Sequence, residues 1–245
     1  MDILYQDEHL VAVNKPAGLL VHRSEIDRHE TQFAVQLLRD QLGQKVFPVH
    51  RLDKPTAGVL LFALNPTMAR QMMDIFVGTG INKTYLAIVR GHTLEQDVID
   101  YPLKEQLDKM TDARADTNKA AQPAVTYYQR LATTELPFPV GRYPTSRYSL
   151  LQLSPKTGRK HQLRRHLKHI FHPIIGDTSH GDGVQNTFFR QHFDCHQLLL
   201  VANQLSFTHP NTGQLVTISA PLDTVFSRII DELGWKECLL HQLAN

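Results

Sequence analysis

Apolar residues fall into short blocks along the chain, and the spacing within each block predicts its element. Ile3–Gln6 and residues 10–13 are β-forming runs, with Asp7-Glu8 at the turn between them. Asn14-Lys15-Pro16-Ala17-Gly18 breaks the pattern and predicts a loop. Residues 33–42 place Phe33, Leu37 and Leu38 on one helical face. Residues 58–64 are nearly all apolar and predict a buried strand. Asn65-Pro66 then supplies an N-cap with proline at the first helical position, starting a helix that runs to about Val77. Residues 84–89 alternate as a strand. Residues 104–122 are polar, charged and aperiodic, which predicts an exposed loop or insertion. Residues 124–132 and 147–153 read as strands. A turn at Lys156-Thr157-Gly158 leads to a helix over 161–171, with Leu163, Leu167 and Ile170 on its apolar face. A strand over 215–219 is followed by an amphipathic helix over 222–233, with Leu222, Val225, Phe226, Ile229 and Leu233 in register.

There is no internal repeat and no low-complexity tract. Strands and helices mix without regular βαβ alternation, so the expected class is α+β, with a mixed, largely antiparallel sheet flanked by helices and loops. The chain has 245 residues, which suits one domain with room for two packed subdomains. Hydrophobic residues make up 42% and charged residues 20%, the composition of an ordinary globular protein. No apolar stretch approaches membrane-spanning length. Met1-Asp2-Ile3-Leu4-Tyr5 lacks a basic region followed by an apolar run, so no signal peptide is expected. Cys195 and Cys238 lack metal-ligand or redox spacing, and a reduced, cytoplasmic protein is the simplest expectation.

Net charge is only +2, but its distribution changes the picture. Residues 136–176 contain no acid. They hold Arg142, Arg147, Lys156, Arg159, Lys160, Arg164, Arg165 and Lys168, and the rest of the chain is net acidic. Such a stripe suits a polyanion, and a solvated basic face is the alternative. In the predicted helix Arg164 and Lys168 share one flank, and Arg165 and His169 another. Arg164 borders the apolar stripe, so its guanidinium is placed to meet a carboxylate or phosphate.

Asp53 lies in Val49-His50-Arg51-Leu52-Asp53-Lys54-Pro55-Thr56-Ala57-Gly58, between an expected strand end and the buried strand. Reactive groups favour loops held on a rigid scaffold; good turn chemistry is the competing account of the same residues. Tyr85 reads as core packing or as a ring open to a ligand. His166 and His169, at i and i+3, invite a metal reading. No carboxylate or thiolate accompanies them, so no metal is expected. Phosphate-binding glycine loops, dinucleotide fingerprints and Gly-x-Ser-x-Gly are missing, and no cofactor is implied.

Together these segments resemble the RluA-type pseudouridine synthases. His50-Arg51-Leu52-Asp53 with Thr56-Ala57-Gly58 resembles the family's catalytic motif. Asn14-Lys15-Pro16 resembles its first motif and Lys83-Thr84-Tyr85 its tyrosine segment. Thr157-Gly158-Arg159-Lys160-His161-Gln162-Leu163-Arg164-Arg165-His166 resembles its arginine motif. His172-Pro173-Ile174-Ile175-Gly176-Asp177 with His180-Gly181 resembles a further segment. The resemblance implies a pseudouridine synthase fold with an RNA-binding cleft, formed by residues 1–245 as a single catalytic domain without a separate N-terminal RNA-binding domain. It implies catalytic roles for Asp53, Tyr85 and Arg164. Arg51 is expected to fill the space a flipped base leaves. Arg159, Lys160, Arg165 and Lys168 are expected to contact RNA phosphates, and Leu200 to wall the pocket. The implied partner is RNA, most closely tRNA, bound by a monomer.

Two positions depart from the family pattern. Ala57 stands where a serine is usual, and Val201 stands where Leu-His-Ala is common in place of Leu200-Val201-Ala202. The competing readings are a synthase acting on ribosomal RNA, a non-catalytic RNA-binding protein, and a metal-dependent hydrolase using the histidines.

Overall fold

The computed structural model describes residues 1–23, 30–78, 80–105 and 120–238. In chain order the elements are β1 (Ile3–Gln6), β2 (Leu10–Lys15), α1 (Ala34–Leu42), β3 (Phe47–Pro48), β4 (Ala57–Ala63) and α2 (Pro66–Val77). Then come β5 (Ile81–Arg90), β6 (Gln96–Asp100), β7 (Val125–Leu136), β8 (Ser146–Pro155) and α3 (Gln162–His169). The last are α4 (Gly183–Phe193), β9 (Leu200–Thr208), β10 (Leu215–Ser219) and α5 (Thr224–Glu232). Among the described residues no helix is long and apolar enough to cross a membrane.

The chain divides into two compact units. The first comprises Met1–Lys83, Pro102–Gln122 and Ala202–Pro221; the second comprises Thr84–Tyr101, Pro123–Val201 and Leu222–Asn245. In the first unit β2 is flanked by β1 and β4, β3 adds to β4, and β10 pairs with β9, all as antiparallel ladders. Every residue of β4 is buried, as its apolar run requires. Its Val59, Leu61 and Ala63 share a core with Leu10, Ala12, Met68, Met72, Leu205, Phe207 and Ile218. Burial on both faces explains why β4 shows no alternation. Asn65 caps α2 as expected, its side chain accepting from the Met68 N–H at 2.8 Å. At Gly58, φ is +110° and an added Cβ would lie 2.2 Å from the Ala202 carbonyl oxygen, so only glycine lets the backbones approach there.

In the second unit the strand order is β5-β8-β7-β6, and all three ladders are antiparallel. Residues Ala87, Val89, Ile99, Tyr128, Leu151 and Leu153 form one sheet face. They pack with Leu163 and Leu167 of α3 and with Ile174, Leu198 and Leu200.

The structure corrects several boundaries. Asn14 and Lys15 belong to β2 rather than to the expected loop, because they pair with Val59 and Gly58. The helix expected over 161–171 is only Gln162–His169, since His161 and Phe171 both take positive φ. β3 supplies the strand end expected before Val49, whereas β6, α4 and β9 have no counterpart among the elements expected from the sequence. The insertion expected over 104–122 falls mainly on residues 106–119, outside the described residues; at its base, Leu103 and Gln122 form a β-bridge.

Candidate active site

The loop carrying Asp53 mixes buried and exposed residues. Val49 and Leu52 are buried, while Arg51 is exposed and Asp53 half-buried. The Thr56 N–H donates to the Asp53 carbonyl at 3.0 Å, closing a turn. His50 is fixed from two sides. Its ring stacks on Phe76 with centroids 4.6 Å apart, and its Nε2 accepts the Leu61 N–H at 3.0 Å. A nitrogen that accepts must carry a lone pair, so this imidazole is neutral. Burial, with the nearby Lys83 charge adding to it, pushes its pKa down to about 3.

That shift makes stability depend on pH. Unfolded His50 binds its proton near the ordinary value of 6.5, whereas the folded ring refuses it until about pH 3. Its contribution is complete above about pH 6.5 and declines as pH falls, by about 1.4 kcal/mol per unit across that window. Denaturant unfolding at pH 7 and pH 5 checks this. The His50→Gln variant keeps an acceptor for Leu61 and is expected to lose less stability on acidification than the unaltered protein.

Lys15 is the unexpected member of this loop system. Its side chain is among the largest fully buried ones, at 0% exposure. The ammonium donates to the carbonyls of Pro16 at 2.9 Å, Leu19 at 2.8 Å and Lys54 at 3.1 Å. Gly18 N–H also donates to the Lys54 carbonyl, at 2.9 Å. One cation therefore ties the loop after β2 to the residue following Asp53. Burial pushes the Lys15 pKa down to about 7, against the opposing pull of the Asp53 carboxylate.

In the second unit the arginine motif folds around Gln162. Its amide oxygen accepts from Thr157 Oγ1 at 2.7 Å and Arg159 N–H at 3.0 Å. Its amide nitrogen donates to the Val125 carbonyl at 3.1 Å and Thr126 Oγ1 at 3.0 Å. This anchors the turn before α3 to β7 and directs the next residues. Leu163 and Leu167 enter the core, and Arg164 is buried beside them.

Arg164 makes a two-point contact with Asp177: Nε to Oδ2 at 2.7 Å and Nη2 to Oδ1 at 2.8 Å. The two side chains are 4% and 1% exposed. Asp177 Oδ1 also accepts the N–H groups of Ser179 and His180, both at 2.9 Å. Burial by itself would raise this carboxyl's pKa. Hydrogen bonds from Arg164, His180 and Ser179, with the Arg164 charge, outweigh burial and hold it below the usual range. The tight loop around Asp177 depends on Gly176, where φ is +81° and a Cβ would meet the Gln197 carbonyl oxygen at 1.9 Å. Tyr85 and Ile170 pack against the cluster that contains Leu163 and the buried Leu200.

A sequence profile of the family described as RNA pseudouridylate synthase matches residues 9–169. The chain belongs to this family. It is therefore a pseudouridine synthase, an isomerase. It is 57% identical over 240 residues to the tRNA pseudouridine synthase C of Vibrio cholerae, covering 98% of each chain. It is likewise 57% identical to the protein of that name from Haemophilus ducreyi over 235 residues, 96% of each. Among solved structures it resembles human RNA Pseudouridylate Synthase Domain Containing 4, with a TM-score of 0.71 and 27% identity, covering 95% and 93% of the two chains.

Within this synthase, Asp53 and Arg51 lie in the first unit; Tyr85, Leu200 and the α3 cations lie in the second. Arg159 and Lys168 are exposed, while Lys160 and Arg165 are half-buried. Arg164 and Lys168 do not share an environment: Arg164 is buried and Lys168 is exposed. The basic helix is also not without an acid: Asp177 folds back onto Arg164 from beyond the acid-free stretch. Asp177 and Lys15 are the residues that inspection of the sequence missed as site members. Both stand in quoted motifs, and a charged residue adjoining a turn glycine or proline was the available signal. The clustered histidines are otherwise engaged. His166 contacts Thr126 and the Tyr101 carbonyl, His172 contacts the Arg90 carbonyl, and His161 contacts His180. Among the described residues no group of three or more His, Cys, Asp or Glu could hold a metal ion. Ala57 and Val201 are both buried apolar residues.

Proposed function

We propose that this synthase acts on tRNA, converting the uridine at position 65 to pseudouridine through Asp53. The observation that carries the substrate is the 57% identity, over 98% of both chains, with a protein named tRNA pseudouridine synthase C. The reaction breaks the bond between N1 of uracil and C1′, turns the base, and joins C5 to C1′. The C5 proton leaves and N1 gains one, so no atom is gained overall and no redox partner is required. A carboxylate suffices, either by attack at C1′ or by removal of the C2′ proton. In this reading residues 1–245 work as one catalytic domain, a monomer in the cytoplasm; Cys195 and Cys238 are both free thiols.

Each remaining residue has a physical task. Arg164 serves as the catalytic arginine, held in place by its buried ion pair with Asp177. Asp177 sets the plane of that guanidinium. Lys15 is a positioning residue that holds the Asp53 loop through three carbonyls. Flipping the target base costs about a few kcal/mol, and stacking of uracil on Tyr85 returns about 1–3 kcal/mol. Arg51, exposed on its loop, fills the vacated space, and Leu200 lines the apolar floor.

Arg159, Lys160, Arg165 and Lys168 supply phosphate contacts. With about four contacts, doubling the salt concentration is expected to weaken tRNA binding about seven- to twelvefold in a filter-binding titration. An unchanged affinity would remove the phosphate role of these four cations. The site itself is tested with two transcripts: tRNA with uridine at position 65 is expected to gain one pseudouridine, and the same tRNA with cytidine there to gain none. Equal modification of both would place the target elsewhere.

A further inference from the structure

α3 ends in an arrangement that usually calls for glycine. The Phe171 N–H donates to the Lys168 carbonyl at 3.0 Å, and the His172 N–H to the Leu167 carbonyl at 2.9 Å. This paired closure places Phe171 at the position that normally takes the left-handed conformation, and its φ is 64°. Glycine or asparagine fills that position without strain; a bulky side chain there is an outlier. Phe171 is also 84% exposed, although it is an aromatic residue. Two unfavourable features therefore coincide at one residue. The segment is nonetheless rigidly held. His172 Nδ1 is 2.8 Å from the Arg90 carbonyl, the next residue Pro173 accepts the Arg90 N–H, and Ile174 bridges to Val89.

The surroundings are mainly basic and aromatic. Lys168 and His169 are exposed and Arg165 is half-buried, all on the turn of helix that precedes Phe171. His169 stacks on Tyr101 with ring centroids 3.6 Å apart and planes at 15°, and Tyr101 is itself 41% exposed. Asp100, beside Tyr101, is an exposed acid on the neighbouring β6. No acid lies between Leu136 and Gly176 on the chain. Exposed rings interleaved with cations match single-stranded or splayed nucleic acid, where bases stack and phosphates meet the charges.

We propose that Phe171 is a base-stacking contact for the RNA substrate, taking a nucleobase other than the target uridine while Arg165 and Lys168 meet the adjoining phosphates. The proposal rests on the RNA-substrate reading above and extends it to a residue outside the family motifs quoted for the chain. Stability favours glycine at position 171, so folding alone gives no reason for a phenylalanine there, and binding supplies one.

The test uses the full chain and an unmodified tRNA transcript, with affinity measured at several salt concentrations and thermal unfolding measured alongside. Phe171→Gly is expected to raise Kd about tenfold, to leave the slope of log Kd against log salt unchanged, and to melt at the same or a higher temperature. Phe171→Tyr is expected to bind within about twofold of the unaltered protein. Lys168→Ala, the contrasting control, is expected to reduce the salt slope by about 1. A Phe171→Gly affinity within twofold of the starting protein would overturn the proposal, as would equal losses in the Gly and Tyr variants. If the unaltered protein neither binds tRNA nor forms pseudouridine in it, the tRNA reading itself fails and this contact falls with it.

Discussion

Asp53→Asn is expected to lower product formation about ten-thousandfold or more while leaving tRNA affinity within about twofold. The substitution preserves size and turn-forming capacity but removes the charge needed to attack a sugar carbon or take its proton. The turn is closed through the Asp53 backbone carbonyl, which the variant keeps. Lys15 remains held by three carbonyls, so the loop stays folded. The two measurements are single-turnover formation of pseudouridine and filter binding at one salt concentration. Turnover close to that of the unaltered enzyme would remove Asp53 from the chemistry. A large loss of affinity with the loss of product would instead make it a structural residue.

Asp177→Ala carries the largest expected cost in stability. It removes the carboxylate that pairs with the buried Arg164 guanidinium, and breaking a buried ion pair from one side costs about 3–5 kcal/mol. For a chain of this length that lowers the melting temperature by about 10 °C. Part of the loss comes from the backbone, because the N–H groups of Ser179 and His180 lose their acceptor as well. Pairing Arg164→Met with Asp177→Leu separates structure from chemistry. The double variant buries apolar groups of similar volume and is expected to recover much of the stability, but none of the activity. A double variant with full activity would show that neither charge is needed.

The parts of this protein that were readable in its sequence are those governed by local rules. Ala57–Ala63 announces itself as a buried strand because seven neighbouring residues are apolar or small. Asn65-Pro66 marks the start of α2 because cap and proline act over one turn. Leu215–Ser219 has the bounds its alternation predicts. β6 was silent because only Ile99 among its five residues is buried. α4 was silent because Gln185 and Asn186 are buried alongside Phe189 and Phe193, which blurs any apolar stripe.

The site divides in the same way. Asp53, Tyr85 and Arg164 stand in motifs whose residue types suggest roles. The Arg164–Asp177 pair joins positions 13 residues apart through a turn that Gly176 alone permits, and no periodicity encodes it. Lys15 was passed over because lysines are rarely fully buried; its three carbonyl partners appear only once β2 and the Asp53 loop are folded. The charge pattern pointed to a polyanion, but only the structure shows that one of its arginines is turned inward and committed to a carboxylate.

The most direct measurement is to incubate the purified protein, without added metal, with unmodified tRNA and with ribosomal RNA, and to map pseudouridine in both. The predicted result is one new pseudouridine in tRNA, at position 65, and none in ribosomal RNA. Pseudouridine confined to ribosomal RNA, or absent from both, would contradict it.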